Sequence, residues 1–360
     1  MGQPNIAINF KQKANSVVSR SARGVACVIV KDTTVEGLHT YTRKQQIKEE
    51  YATETKELLE IGFDRYGTNK VLVYSIKDAD TLANALKVLK KKPINYMCCD
   101  FDLTEDDIKK LKDFAVERFK ANKGVLIVTD KTVDSEFFIN VKETGLEDKE
   151  YTTSSTHFVV ETTMRFASLP FNQSMTNKPL PYVVKCDEFD DEDIEADNGN
   201  LIIRYDGEKY KYGRAVTGLQ TIEDGKTVDF KNIQIMEGMC LVKGDIANEF
   251  EDFIGNYENT DTNRLIFIAE ANEYLRQLAN EGVLNPKYNN HLEIDVEAMR
   301  DYMESPTDLQ GNVKEAHDTS SMSDEEVSID AEGWTDTTVF VKGFIKFTKA
   351  IEDLKLDIYM

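Results

Sequence analysis

The chain has 360 residues, of which 41% are hydrophobic and 30% charged, a balance that supports two folded domains and excludes a wholly disordered protein. Its formal net charge of −21, from 65 acidic against 44 basic side chains, argues against nucleic acid and anionic membrane as partners, since both require a basic face. No apolar run approaches the roughly 18 residues that span a bilayer, and residues 1–5 lack the basic and apolar regions of a secretory leader, so neither membrane insertion nor secretion is expected.

Charge is distributed unevenly. Residues 1–31 carry five basic side chains (Lys11, Lys13, Arg20, Arg23, Lys31) and no acidic one, whereas residues 301–332 carry ten acidic residues against Lys314 alone. A basic arm on an acidic body suits association between copies of one chain; two solvated surfaces that merely differ are the plain alternative. The five cysteines (Cys27, Cys98, Cys99, Cys186, Cys240) are an odd number at irregular spacing. They form neither a disulfide framework nor a zinc pattern, and a reducing cytoplasm fits them.

In chain order, Ile6, Ile8 and Phe10 alternate with Asn5, Ala7, Asn9 and Lys11, a period-two strand followed by a polar linker over 12–23. From residue 24 to about 163 strands and helices alternate. Strands are expected at 25–30, 70–76, 94–99 and 125–128, and helices at 80–91 and from Thr104, as N-cap, to about 122, where Gly124 breaks the second. Residues 137–141 and 157–163 read as further strands. An acidic stretch at 186–197 separates this α/β body from a second one with strands at 201–205, 209–212 and 232–236. Helices at 243–254 and 262–281 follow, the latter ended by Gly282 and Pro286. Residues 306–333, polar, acidic and serine-bearing, read as a mobile excursion. The chain ends on two strands around a short helical turn at 348–354; in the last of them Leu356, Ile358 and Met360 alternate with Lys355, Asp357 and Tyr359.

Chemistry is sought and not found. The turns after the α/β strands hold Lys31-Asp32-Thr33-Thr34, Lys77-Asp78-Ala79 and Asp100-Phe101-Asp102, with no glycine to admit a pyrophosphate and carboxylates that repel one. Asp193, Glu195 and Asp197 resemble a calcium loop, but Asn198 stands where the turn glycine belongs and Arg204 where the bidentate glutamate belongs. His39, His157, His291 and His317 are scattered, and His157 reads as structural. No catalytic residue, cofactor site or metal site is expected.

Several blocks resemble the tail sheath proteins of contractile phages, prophages and phage-tail-like bacteriocins, above all the short type of Gram-positive prophages. They are Asn5-Ile6 to Phe10 with Ser21-Ala22-Arg23-Gly24-Val25, Leu169-Pro170 to Ser174-Met175-Thr176, and Gly213-Arg214-Ala215-Val216-Thr217-Gly218-Leu219 ahead of Phe230-Lys231-Asn232-Ile233. Asp245, Ile254-Gly255-Asn256-Tyr257, Asn263 and Ala350-Ile351-Glu352-Asp353-Leu354 continue the series. Thr217 stands where the family favours Asn, and Ile351 where it favours Met.

The resemblance implies a mixed α/β and α+β chain: an N-terminal arm (1–23), an outer α/β domain with its connection (24–198), an α+β assembly domain (199–347), and a tube-facing turn with a C-terminal arm (348–360). It implies stacked hexameric rings around an inner tail tube, contracting to drive the tube through a bacterial envelope. The arms, through Ile6, Ile8, Phe10, Leu356, Ile358 and Met360, would add strands to neighbouring subunits, while Lys349, Glu352 and Asp353 face the tube. Partners would be the chain itself, the tube protein, and baseplate and tail terminator proteins. Assembly would occur in the bacterial cytoplasm and the product reside in a virion tail or tail-like particle. The rival readings are a ligand-binding or enzymatic α/β protein and a non-polymerising tail adaptor. Energetics favour donated arms. Ordering six residues costs about 6–12 kcal/mol, and burying three apolar side chains returns about 4.5–9 kcal/mol, so such a strand settles only on a preformed sheet.

Overall fold

The computed structural model describes residues 24–48, 50–77, 80–150, 154–352 and 355. They divide into two compact units, one reaching to Glu237 and resuming at Glu352, the other Gly238–Ile351. The first unit contains, in order, β1 (Val25–Lys31), β2 (Gly37–Tyr41), α1 (Thr53–Tyr66), β3 (Lys70–Ile76), α2 (Leu82–Leu89), β4 (Tyr96–Asp100), α3 (Glu105–Lys120), β5 (Leu126–Thr129) and β6 (Phe138–Lys142). Then come β7 (Glu147–Asp148), α4 (Ser155–Ser168), β8 (Val183–Lys185), α5 (Glu192–Asp197), β9 (Asn200–Tyr205), β10 (Tyr210–Tyr212) and the start of α6 (Ile233–Glu251).

Eight of these strands form one sheet in the order β10-β9-β6-β5-β4-β1-β3-β2. β1 lies parallel to both β3 and β4, so the winding reverses there, and only the outermost pairs, β2 with β3 and β9 with β10, are antiparallel. Covering on both faces explains the unbroken apolar runs of β1, β3 and β4, which alternation would not produce. The division expected at 198/199 falls instead at 237/238, because β9 pairs in parallel with β6 and extends the first unit's sheet.

Local chemistry sets the helix ends. Thr104 accepts from the Asp107 amide while the Asp107 carboxylate accepts from the Thr104 amide, a reciprocal cap with three acidic residues in the first turn of α3. Asn122, in the left-handed region at φ 59°, stands just beyond the end of α3, two residues before the expected breaker Gly124. Residues 157–163, expected as a strand, lie inside α4. Their β-branched content pointed to a sheet, but Ser154 caps a helix whose residues Phe158–Ala167 are all buried, where packing outweighs propensity. Residues 232–236, also expected as a strand, carry the first turn of α6 instead, with the Asn232 side chain accepting from the Ile235 amide.

A buried ionic network joins α1, α4 and β7. The Arg65 guanidinium, 2% exposed, donates to both Asp148 oxygens at 2.8 Å and reaches Glu161 at 3.3 Å. Tyr66 also donates to Glu161, and the Tyr182 ring lies 3.9 Å from the guanidinium carbon. Pairing on this scale is what makes burying Asp148 and Glu161 tolerable. The cysteines are buried and free, and burial pushes the Cys27 thiol up to about 12 and those of Cys98, Cys99 and Cys186 above their ordinary value.

The second unit contains the rest of α6, α7 (Asp261–Asn280), β11 (His291–Ile294), α8 (Val296–Glu304), α9 (Asp324–Trp334) and β12 (Val341–Phe344). Among the described residues, no helix is long and apolar enough to cross a membrane. The segment 306–333, expected to be mobile, is built in: Ser323 and Glu326 form a reciprocal cap, and Val327 and Ala331 bury against Met299 and Met303, with Trp334 beside them. The i, i+4, i+7 stripe of Val327, Ala331 and Trp334 was hidden by the acidic residues between. The described part of the expected helical turn, residues 348–352, has no helix; Phe347 bridges Leu284 and the Thr348 amide donates to the Val283 carbonyl, an extended pairing.

The block Gly213–Leu219 is structural in this fold. Thr217, fully buried, bonds to the carbonyls of Lys231 and Phe230, and the Gly218 amide donates to the Phe138 carbonyl at 2.7 Å. A Cβ on Gly218 would lie 2.2 Å from the Val133 carbonyl oxygen and 2.7 Å from Asn140 Nδ2, so only glycine fits. Gly218→Ala should cost about 1–3 kcal/mol and lower the melting temperature by about 2–12 °C, measured by thermal unfolding. Unchanged melting would show that the loop yields at no cost.

Candidate assembly surface

The crevice outside the carboxyl ends of β1 and β4 is where an open α/β sheet places a ligand. Here it is lined by carboxylates. Burial disfavours the charge of Asp32, but hydrogen bonds from Thr34, Ala52 and Val35 outweigh it and hold the carboxyl below its usual range. Burial raises Asp100, partly offset by His157, 3.8 Å away, and by Thr156. Asp130 accepts from Ser155 and pairs with Lys131, both at 3.2 Å. These side chains organise turns and a helix start, and their charge repels a phosphate. His157 sits on α4 beside Asp100, consistent with a structural role.

In the second unit a different feature stands out. β11 and β12 form a two-stranded antiparallel ribbon in the register His291↔Phe344, Leu292↔Gly343, Glu293↔Lys342, Ile294↔Val341. One face is apolar: Leu292, Ile294 and Val341 pack on Phe253, Phe267 and Ile268 of the helical layer. The other is polar and aromatic, with His291 stacked on Phe344 at 5.2 Å and Lys342 paired with Glu293 at 3.4 Å. Gly343 is small because Leu292 lies across it; a Cβ there would meet Leu292 Cδ2 at 2.4 Å.

Backbone bookkeeping separates the two edges. The Asp295 amide donates to the Phe340 carbonyl at 3.1 Å, which continues the ladder. By antiparallel alternation the amides and carbonyls of Leu292, Ile294, Val341 and Gly343 then point away from the partner strand. At Leu292 both outward groups are taken by one side chain: its amide donates to Asn272 Oδ1 at 2.6 Å and its carbonyl accepts from Asn272 Nδ2 at 3.0 Å. Beside the ribbon lies a groove of about 370 Å³, lined in part by Phe250, Phe253, Tyr257, Phe267 and Val339, with Ile254 63% exposed and Glu258, Arg264 and Asp336 also in its wall.

The residues expected from the sequence distribute unevenly. Ile6, Ile8, Phe10, Leu356, Ile358, Met360 and Asp353 lie outside the described residues. Lys349 is exposed. The Glu352 carboxylate accepts from Ser174 Oγ at 3.0 Å and Thr176 Oγ1 at 2.7 Å, and Thr176 Oγ1 in turn accepts from the Ala215 amide. Three of the resembling blocks thus meet at one point. Asn272 and β11 were not foreseen; the period-two pattern of His291–Ile294, four residues long, is too short to stand out.

Comparison with known proteins bears on this unit directly. A family model, the phage tail sheath C-terminal domain, matches residues 225–360. Over those residues the chain matches the tail sheath family. The tail sheath protein of Clostridium phage phiCD119 is 27% identical over 331 residues, covering 87% of this chain and 90% of that one. In fold, the chain is similar to a sheath tail protein from Desulfitobacterium hafniense, with a TM-score of 0.64 and 12% identity over 81% of this chain and 94% of that one. It is similar also to the anti-feeding prophage helical sheath in its contracted state, with a TM-score of 0.67 and 13% identity over 100% and 99% of the two chains.

Asn272→Ala should leave both outward groups of Leu292 unpaired and cost the fold about 1–3 kcal/mol. Asn272→Asp should cost more than half as much, because it keeps the acceptor but sets a carboxylate against the Leu292 carbonyl. Amide exchange at Leu292 reads both, and unchanged protection in both variants would remove Asn272 from this role.

Proposed function

We propose that this tail sheath subunit polymerises as stacked hexameric rings around an inner tail tube and contracts to drive the tube through a bacterial envelope. The observation that carries this reading is the β11–β12 ribbon, a two-stranded sheet whose outward backbone groups at Val341 and Gly343 have no partner among the described residues, in a chain with an alternating apolar segment near each terminus. A free edge and a free strand are complementary halves of strand addition. On this reading the segments with Ile6, Ile8 and Phe10 and with Leu356, Ile358 and Met360 join neighbouring ribbons and make a mesh. Rings then change spacing without losing connection, because an arm can bend where a packed interface cannot.

The remaining partners follow from the same reading: the tube protein inside, baseplate and terminator proteins at the two ends, and assembly in the bacterial cytoplasm before release in a virion or tail-like particle. Residues 348–353 face the tube. Since Glu352 is engaged by Ser174 and Thr176 of its own chain, it anchors this segment, and Lys349 and Asp353 make the exposed ionic contacts. Such pairs contribute about 0–1 kcal/mol each, weak enough to break on contraction and numerous enough to matter along a tail.

Two measurements test this. Removing residues 1–13 or 355–360 should leave a folded chain, by circular dichroism and melting, that forms no sheath under the electron microscope; normal sheaths from either truncation would end the donated-strand reading. Lys349→Glu with Asp353→Lys should give sheaths that load poorly onto tubes while the subunit melts as before. Undiminished tube loading in moderate salt would place the tube contact elsewhere.

A further inference from the structure

We infer that the first unit carries an assembly contact of its own: a lysine ridge at the amino end of its sheet docks onto the acidic segment 187–193, at the carboxyl end of the sheet, in a second copy. This rests on the reading that copies polymerise, and not on donated arms.

The ridge is built by a buried cation. Between Asp80 and Asp100 the chain holds no acidic residue and four lysines, Lys87, Lys90, Lys91 and Lys92, in a protein of net charge −21. α2 ends at Leu89, and the carbonyls at its end are answered by Arg118 of α3. That guanidinium, on a residue 2% exposed, donates to the Leu89 carbonyl at 3.0 Å, to that of Lys90 at 2.8 Å and to that of Lys92 at 3.0 Å. The backbone of the ridge is thereby fixed while its side chains stay exposed. Lys90 pairs with Glu117 at 2.8 Å, but Lys87, Lys91 and Lys92 have no acidic partner among the described residues. Lys120 and Lys123, exposed at the end of α3, extend the same pole.

The receptor follows from topology. Residues 187–193 hold six carboxylates around Phe189 and no basic residue, and all six acidic residues are exposed. The segment is anchored: the Asp187 amide donates to the Thr144 carbonyl, Asp191 caps α5, and Glu195 of α5 pairs with Lys142, the last residue of β6. Asp187, Glu188, Asp190 and Asp193 have no basic partner among the described residues. β4, β5 and β6 run parallel; the ridge leads into β4, whereas the acidic segment is tied to the far end of β6. The two faces therefore lie at opposite ends of one sheet, separated along five-residue strands by about 16 Å. They cannot neutralise each other within a copy.

The occupant follows from charge and closure. A nucleic acid or an anionic lipid would also meet lysines, but either must approach a chain of net charge −21 that repels it at long range. A second copy brings clustered carboxylates on a fixed surface, and opposite charge orients it. Because ridge and acidic segment are different surfaces, a copy docked by its ridge keeps its acidic segment free for the next. Such a heterologous contact continues around a ring or along a helix instead of stopping at a dimer. Each exposed pair changes an equilibrium constant by at most about fivefold, so the contact works by repetition and weakens with salt.

The test reverses charge on each face of the full-length chain. One variant carries Lys91→Glu with Lys92→Glu, the other Glu188→Lys with Asp190→Lys; all four side chains are exposed, and both variants should melt as the wild type does. At low ionic strength each variant alone should need at least about tenfold more protein than the wild type to assemble, because two pairs turn from attraction to repulsion. An equimolar mixture should restore the wild-type threshold, since alternating copies again set opposite charges face to face. Assembly by either variant alone at the wild-type threshold would overturn the proposal. So would a mixture no better than its parts, which would assign the lysines to a polyanion other than this chain. A wild-type chain that forms no polymer would instead fail the reading on which this contact rests, and the contact with it. A second measurement reads the contact directly. Carbodiimide joins an amine to a carboxylate only where the two touch. Wild-type polymers grown from isotopically light and heavy chains should give mixed-isotope links between residues 87–92 and 187–193. Links from the ridge only to acids outside 187–193 would overturn the assignment.

Discussion

A ribbon of two four-residue strands cannot stand alone in water, and this constraint organises the second unit. Its apolar face needs a floor, which Phe253, Phe267 and Ile268 supply. The floor needs rigidity, and Arg264 provides it from inside: 2% exposed, it draws together the Asn259 side chain, the Ser328 carbonyl and Thr335. Burial lowers the pKa of Arg264, yet the guanidinium stays charged at any physiological pH, and its ring of acceptors offsets the desolvation. Asn259 also donates to the Asp336 and Thr338 carbonyls, so the chain entering β12 is fixed by the same group.

The first unit is built on the opposite principle. Its sheet is closed by helices and by antiparallel outer strands, its cysteines are small hydrophobes, and its ions are paired internally around Arg65. Carboxylates occupy the place where the same topology elsewhere receives a phosphate. Removing either half of the Arg65 pairing would strand a buried charge at about 3–5 kcal/mol, which keeps the body a single packed object.

Much of the first unit was legible because its signals are local. Apolar runs marked β1, β3 and β4, and Thr104 with its acidic followers marked α3. Errors arose where burial overrode local preference. Val159, Val160, Thr162 and Thr163 read as a strand until the burial of both sides of α4 is seen, and Asn122 instead of Gly124 takes the left-handed turn. The domain boundary was misplaced because no local feature reveals that β9 pairs with β6, Asn200 lying opposite Asn140. The assembly surface was least legible: Asn272 looks like any polar residue on a helix, and its role exists only because the fold brings Leu292 within 2.6 Å of it. The resembling blocks were read correctly as a series, but their meaning is packing, with Gly218 fitted under Val133 and Thr176 set between Ala215 and Glu352.

The junction at Thr176 fixes the start of the C-terminal segment. The Glu352 carboxylate is held by two hydroxyls of the first unit, while the preceding Ile351 is 97% exposed and contributes nothing to either core. A charged acceptor with two hydroxyl donors has a net worth of about 1.5–3 kcal/mol per bond, enough to set the direction of the chain but small against an intersubunit interface. The clasp of Glu352 on Ser174 and Thr176 therefore fixes where the segment after residue 352 sets out, whatever that segment meets.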